Sequence, residues 1–200
     1  MVQLVLASRS PVRKTMLEQA GLEVRVMPAD LDEAALKCEY LEQGATPSRI
    51  AQALASAKAH KIAKSFPDAF VIGSDQTLEF HGRLIDKPDD RAALRSRFIL
   101  MQGQAHLLHS AVYVVNPFGA EDFAHLEQCS ITLRKLEAQA IDDYLARAPQ
   151  RILGTVGGYQ IEGLGLQLIE HMQGSYFSIL GLPLLPLLQF LRPYLPMMIP

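Results

Sequence analysis

Two hundred residues, 49% of them apolar, suffice for one domain with a real core, or one domain folded as two lobes around a cleft, and leave little room for a multidomain machine. A formal charge of −2 argues against a protein that coats nucleic acid, because that task needs a basic surface to release counterions, so any phosphate chemistry must use a local basic pocket. Cys38 and Cys129 are the only cysteines; they lie far apart and outside metal-ligand spacing, which predicts reduced thiols and no disulfide framework.

Along the chain, residues 2–6 read as a short buried strand. Ser10 before Pro11 is a helix start, a capping hydroxyl followed by proline at the first helical position. That helix is expected to run to Ala20 and stop at Gly21. "LEVRVMP" alternates as a half-buried strand does, and the acidic "ADLDEAAL" after it is a loop or a loose helix start. Thr46-Pro47 repeats the cap signature, and the alanine-rich segment beyond it predicts a helix over 47–65.

"AFVIGSDQTLEFHGRLIDKP" predicts a strand, a kink at Gly73-Ser74, more strand and a turn at His81-Gly82. A basic amphipathic helix over 89–101 should follow, then two long strands joined at Asn116 to Gly119. A helix over 137–147, a glycine-rich loop at 154–165, a strand over 166–170 and a terminal helix complete an α/β alternation. The apolar carboxyl end contains Pro183, Pro186, Gln189, Arg192 and Pro193, which interrupt any span of about 20 residues, so a buried helix with a loose tail is expected rather than a membrane segment. The amino terminus has too short an apolar run for a signal peptide and no basic segment before it, and a cytoplasmic location is expected.

Four segments carry candidate chemistry. In "LVLASRSPVRK" the helix-start N–H groups, the Ser8 and Ser10 hydroxyls, Arg9 and Arg13 can converge on an anion such as a phosphate; the alternative is a plain helix cap with two solvated arginines. Asp75 in "VIGSDQT" ends an apolar strand, where α/β sheets keep their ligand sites, or else bonds its own turn. Its burial calls for a partner, and the turn at His81-Gly82 brings Lys87 back toward it.

The glycines of "GTVGGYQIEGLG" permit close backbone approach to a ligand but match neither standard phosphate cradle, so on their own they mark a shaped loop. Glu162 within it can pair with the N–H groups of a purine base or stand exposed. Asp30, Asp32 and Glu33 could help hold a divalent cation, which takes one or two carboxylates plus substrate phosphates and water. His106 and His109, three apart on a strand, face opposite sides and do not share a metal.

Taken in order, "LASRSPVRK", "VIGSDQT", "LIDKP", "GGYQIEGLG" and "GSYFSILGLPL" resemble the Maf family of nucleoside triphosphate pyrophosphatases, along essentially the whole chain. The resemblance implies a twisted mixed β-sheet with flanking helices in two lobes around a nucleotide cleft, the Maf/ITPase-like fold, as a single domain over 1–200. It implies hydrolysis of a nucleoside triphosphate to monophosphate and pyrophosphate, assisted by Mg²⁺ or Mn²⁺, in a protein that often forms homodimers. Ser8, Ser10 and Arg13 then match the phosphate-binding turn, Asp75 the general base or a metal ligand, Lys87 a second phosphate contact, and Glu33 an acidic position at the metal.

Base choice within the family is associated with the positions of Val12, Gln76 and Glu162, with Gln160 beside the last. Members acting on dTTP and UTP carry Arg, Thr and Gln there, whereas Gln76 and Glu162 resemble the 7-methyl-GTP pyrophosphatase subfamily; Val12 matches neither. Asp86 stands where the family's Gly-Lys-Pro has glycine, and Gln104 where a basic residue is usual. A competing reading is a nucleotide-binding regulator of cell division that hydrolyses poorly because of those two changes; intact Asp75 and Lys87 weigh against it.

Overall fold

The computed structural model describes residues 2–119 and 121–195. The chain begins with β1 (Gln3–Ala7), whose last four residues are buried. Helix α1 (Pro11–Gln19) then starts where Ser10 Oγ accepts the Arg13 N–H at 3.4 Å. It ends at Ala20, and Gly21 leaves with φ of 81°, a left-handed exit that glycine adopts without a Cβ penalty. Strand β2 (Val24–Val26) follows.

The acidic stretch winds into a ten-residue helix, α2 (Glu33–Glu42), because the Asp32 carboxylate accepts the Ala35 N–H at 2.9 Å and caps it. Of the two expectations for this stretch, a loop or a loose helix start, the structure bears out the helix and extends it to a full one. Helix α3 (Pro47–Ala63) is capped in the same manner by Thr46.

Strand β3 (Ala69–Phe80) runs twelve residues without the kink expected at Gly73. The glycine there serves packing: a Cβ would lie 2.1 Å from the Ala55 carbonyl oxygen and 2.8 Å from the Ala59 nitrogen, so only glycine lets α3 lie this close to the sheet. A tight turn with positive φ at His81 and Gly82 leads to β4 (Arg83–Ile85). Helix α4 (Arg91–Met101) is capped by Asp90, and β5 (Ala105–Val115), β6 (Phe123–Leu133) and α5 (Ala138–Arg147) follow. Residues 164–168 wind as a 3₁₀ turn, which delays the last strand to β7 (Ile169–Gln173). Short α6 (Tyr176–Ile179), α7 (Leu184–Leu191) and a 3₁₀ turn over Arg192–Tyr194 close the described fold. The expected loose tail falls on residues 196–200, outside the described residues. Among the described residues no helix is long and apolar enough to cross a membrane.

One seven-stranded mixed sheet is ordered β2-β1-β3-β5-β6-β7, with β4 added to β3. Three apolar clusters show how its faces are used. On one face Leu4, Leu6, Phe70 and Ile72 pack with Met16, Leu17, Leu187 and Leu191, while Leu78, Phe80 and Leu108 pack with Leu94, Phe98, Ile141 and Tyr144. These are the two lobes. On the opposite face Val5, Val71 and Ala59 unite α3 with the middle of the sheet.

A polar belt divides the lobes. Gln76 Nε2 donates to Ser110 Oγ at 2.9 Å, to the Ser178 carbonyl at 2.9 Å and to that of Ile179 at 3.1 Å. Ser110 Oγ donates to the Ser178 carbonyl at 2.6 Å, and Ser178 Oγ bonds the Glu127 carboxylate. Satisfied buried polar groups of this kind fix one arrangement, here that of α6 across the sheet.

Candidate active site

Strand register creates the cleft. β1 pairs with Ala69–Gly73 of β3 and β4 pairs with Leu78–Phe80. Both lie on the same edge, because β5 occupies the other edge from Val71 to Glu79. Among the described residues no strand therefore flanks 74–77 on that edge, an opening of about 13 Å at 3.3 Å per residue. The loop after β1 enters it from one end and the loop after β4 from the other, which brings "SRSPVR" and "DKP" to the same stretch of β3. Such an opening beyond the carboxyl end of a parallel strand is where α/β sheets bind ligands.

At the first end, Ser8 Oγ accepts from the Ser10 N–H at 3.2 Å and from Arg13 Nη1 at 3.3 Å. Arg13 also donates from Nη1 to the Ser74 carbonyl at 2.8 Å and from Nε to that of Gly181 at 2.8 Å. The guanidinium thus ties α1, β3 and the α6–α7 turn together. Burial lowers its pKa while Asp75 and then Glu33 act to raise it; at physiological pH it stays cationic. With Nε and Nη1 committed, only Nη2 remains uncommitted to the described residues, so a two-pronged grip on phosphate requires it to release a carbonyl. Arg9 is exposed.

Asp75 is buried on the α3 side of the sheet, and its partner is not Lys87. Lys58 Nζ lies 2.6 Å from Asp75 Oδ1 and 3.0 Å from Glu33 Oε1. The correction follows from topology: α3 lies directly across this face of β3, whereas Lys87 follows a short strand on the edge. Lys87 is exposed and makes no ion pair among the described residues, yet it is close enough to act on Glu33. Burial pushes the Glu33 pKa up, but Lys58, through charge and hydrogen bond, then Lys87 and Lys37, outweigh this and hold it below the usual carboxylate range.

Sequence reasoning missed Lys58, although a signal existed. Ile50, Ala51, Leu54, Ala55 and Ala59 form the buried stripe of α3, and Lys58 occupies the next place on it. A lysine on an apolar stripe needs a counter-charge. Lys37, which meets Asp86 at 2.6 Å, was missed as well. Asp32 caps α2 and Asp30 is exposed, so of that acidic trio only Glu33 reaches Lys58. Among the described residues no three His, Cys, Asp or Glu side chains gather into a cage for a metal.

The base-choice positions are spread apart. Val12 packs against the first lobe's core. Gln76, next to Asp75 on a strand, points to the opposite face and gives its amide N–H groups to the belt. Glu162 is exposed and among the described residues accepts only from Gln160 Nε2, at 3.3 Å, while Gln160 Oε1 accepts from Arg151 Nε at 2.9 Å. His106 and His109 do face opposite ways: His106 meets the Tyr159 hydroxyl at 2.6 Å and His109 meets Glu79 at 2.8 Å.

A two-lobed α/β protein whose cleft sets several cations against a buried carboxylate is built to take an anionic ligand. The fold is similar to that of the Ham1 protein of Staphylococcus aureus, with a TM-score of 0.52 at 13% identity over 96% of this chain and 100% of that one. Residues 3–194 match the family described as Maf-like protein, and the chain belongs to that family. It is 43% identical to a 7-methyl-GTP pyrophosphatase of Rhizobium johnstonii over 95% of each chain. It is 44% identical to another of that description from Brucella suis over 96% of each. A nucleoside triphosphate pyrophosphatase of Granulibacter bethesdensis is 42% identical over 96% of each.

Proposed function

We propose that the protein hydrolyses nucleoside triphosphates to monophosphate and pyrophosphate, with guanine-type substrates, 7-methyl-GTP first, preferred. One observation carries the reading: Arg13, Lys58 and Lys87 surround Asp75 and Glu33 at the open stretch of β3. Cations there offset the charge of a polyphosphate, and a buried carboxylate beside them can take a proton from water. The relatives' names point to the same reaction.

Asp75 orients a water molecule and accepts its proton at Oδ as the water oxygen bonds the α-phosphorus; the bond to pyrophosphate breaks and pyrophosphate leaves. Lys58 fixes the Asp75 carboxylate for this task. Arg13 Nη2, the Ser8 and Ser10 hydroxyls and Lys87 hold phosphate oxygens. Glu33 and Asp75 both converge on one ammonium, a geometry that also suits a divalent cation completing its shell with phosphates and water, so these two residues would hold Mg²⁺ or Mn²⁺. Such an ion, when bound, neutralises the triphosphate and lowers the pKa of water.

The guanine preference rests on Glu162. Its exposed carboxylate can accept from both N1–H and N2–H₂ of guanine, whereas thymine and uracil offer one N–H between carbonyls that an anion repels. Pyrophosphate release from 7-methyl-GTP, GTP, dTTP and UTP, with Mg²⁺ or Mn²⁺, tests both parts. Highest kcat/KM for 7-methyl-GTP is expected; a lead for dTTP or UTP overturns the base assignment, and no release from any of them overturns the reaction.

A further inference from the structure

Resting on the reading above, we propose that Asp86 is a positioning residue whose ion pair with Lys37 clasps α2 over the triphosphate cleft. Helix α2 contains no buried residue, and among the described elements its only substantial neighbour is α3. Apolar burial therefore does little to hold it. Two ion pairs hold it instead, both from one face: Glu33 to Lys58 at 3.0 Å and, one turn on, Lys37 to Asp86 at 2.6 Å. Beyond Lys37 the helix stands clear of the β3–β4 hairpin. A cleft of about 530 Å³ separates Leu41, Gly44 and Ala45 from Gly82, Arg83 and Leu84.

Asp86 is the fixed end of the clasp. Its carbonyl accepts from Arg97 Nη2 at 2.5 Å, and Arg97 Nη1 donates to the Val156 carbonyl at 2.9 Å. A line of contacts therefore runs from the glycine-rich loop through α4 and Asp86 to α2, with Lys87 next in the chain. A glycine at this position, as in the Gly-Lys-Pro pattern, offers no carboxylate to close the line. The pair is only partly sheltered, with Asp86 62% and Lys37 25% exposed, so the clasp is weak enough to open for substrate and product.

Hydrogen exchange on the full chain without nucleotide tests this at low salt. Asp86→Asn and Lys37→Met should each raise exchange of the α2 amides about two- to fivefold, the range for an exposed pair, with α1 unchanged. Added salt should move the wild-type protein the same way. In turnover assays KM for the nucleotide should rise by a similar factor with a smaller change in kcat, and Asp86→Glu should restore both exchange and KM. Unchanged α2 exchange in Asp86→Asn overturns the proposal. A lower KM in that variant also overturns it, because the carboxylate would then be competing with phosphate for Lys37. The exchange experiment contains no substrate, so it decides the clasp even if pyrophosphate release fails.

Discussion

Replacing Lys58 by methionine keeps the length of the side chain and removes its charge, leaving Asp75 and Glu33 facing each other without the ammonium between them. Removing one partner of a buried pair costs about 3–5 kcal/mol. Here the side chain of Asp75 is 12% exposed but that of Glu33 is 41% exposed and can turn toward water. Arg13 and Lys87 also remain within electrostatic reach of these carboxylates, so a loss of about 2–3 kcal/mol is expected.

The sign of its pH dependence follows from Glu33, whose pKa burial raises but Lys58 and the other lysines bring below the ordinary value. A carboxylate with a depressed folded pKa contributes stability that is present above its unfolded value, about 4.3, and lost as pH falls through the folded one. The gap between wild type and Lys58→Met should therefore be full at pH 7 and shrink below about pH 4. Urea denaturation at pH 7 and at about pH 3, compared at constant m, measures it. Millimolar Mg²⁺ should narrow the gap at pH 7 by supplying a cation to the two carboxylates. Equal midpoints at pH 7, or a gap that persists undiminished at about pH 3, would refute the reasoning.

Asp75→Asn keeps an oxygen for Lys58 but cannot accept a proton, so kcat should fall about 100-fold or more while calorimetry still detects nucleotide binding; near-normal turnover contradicts the assigned base. Arg13→Ala should weaken triphosphate binding more than nucleoside binding, and by leaving the Ser74 carbonyl without its donor, while that of Gly181 keeps the Ser74 hydroxyl, should cost about 1–2 kcal/mol in urea; equal weakening of both ligands makes the arginine purely structural. Burial lowers the His106 pKa to about 4. Its neutral ring thus contributes stability complete above about pH 6.5 and lost as pH falls toward 4, worth at most about 3 kcal/mol, and His106→Gln should flatten that slope. Gly73→Ala should cost about 3 kcal/mol in thermal or urea unfolding, because the new Cβ meets α3 backbone that cannot swing aside; an unperturbed melting temperature argues against the close approach.

What the amino-acid sequence determined by itself was local. Ser10-Pro11 and Thr46-Pro47 begin helices because a hydroxyl and a preset φ act within one turn, and Gly21 ends one for the same kind of reason. The apolar run before Ser8 and the strand carrying Asp75 were legible from pattern, and with them the two loops that face the cleft. His106 and His109 fall on opposite faces because the side-chain period of a strand is two residues.

The tertiary structure alone decided which charges meet. Lys58 precedes Asp75 by seventeen residues, yet it becomes the partner because α3 crosses that face of β3, a relation no spacing encodes. Gly73 turned out to serve helix packing, since a kink and a close approach ask for the same residue. Gln76 was committed to the belt by the position of α6, which packs on its side of the sheet. The open edge at residues 74–77 exists only because β1 and β4, far apart in sequence, stop short of one another along β3. Caps and periodicity depend on neighbours in the chain, but a buried ion pair or a gap between strands depends on which surfaces the whole fold brings into contact.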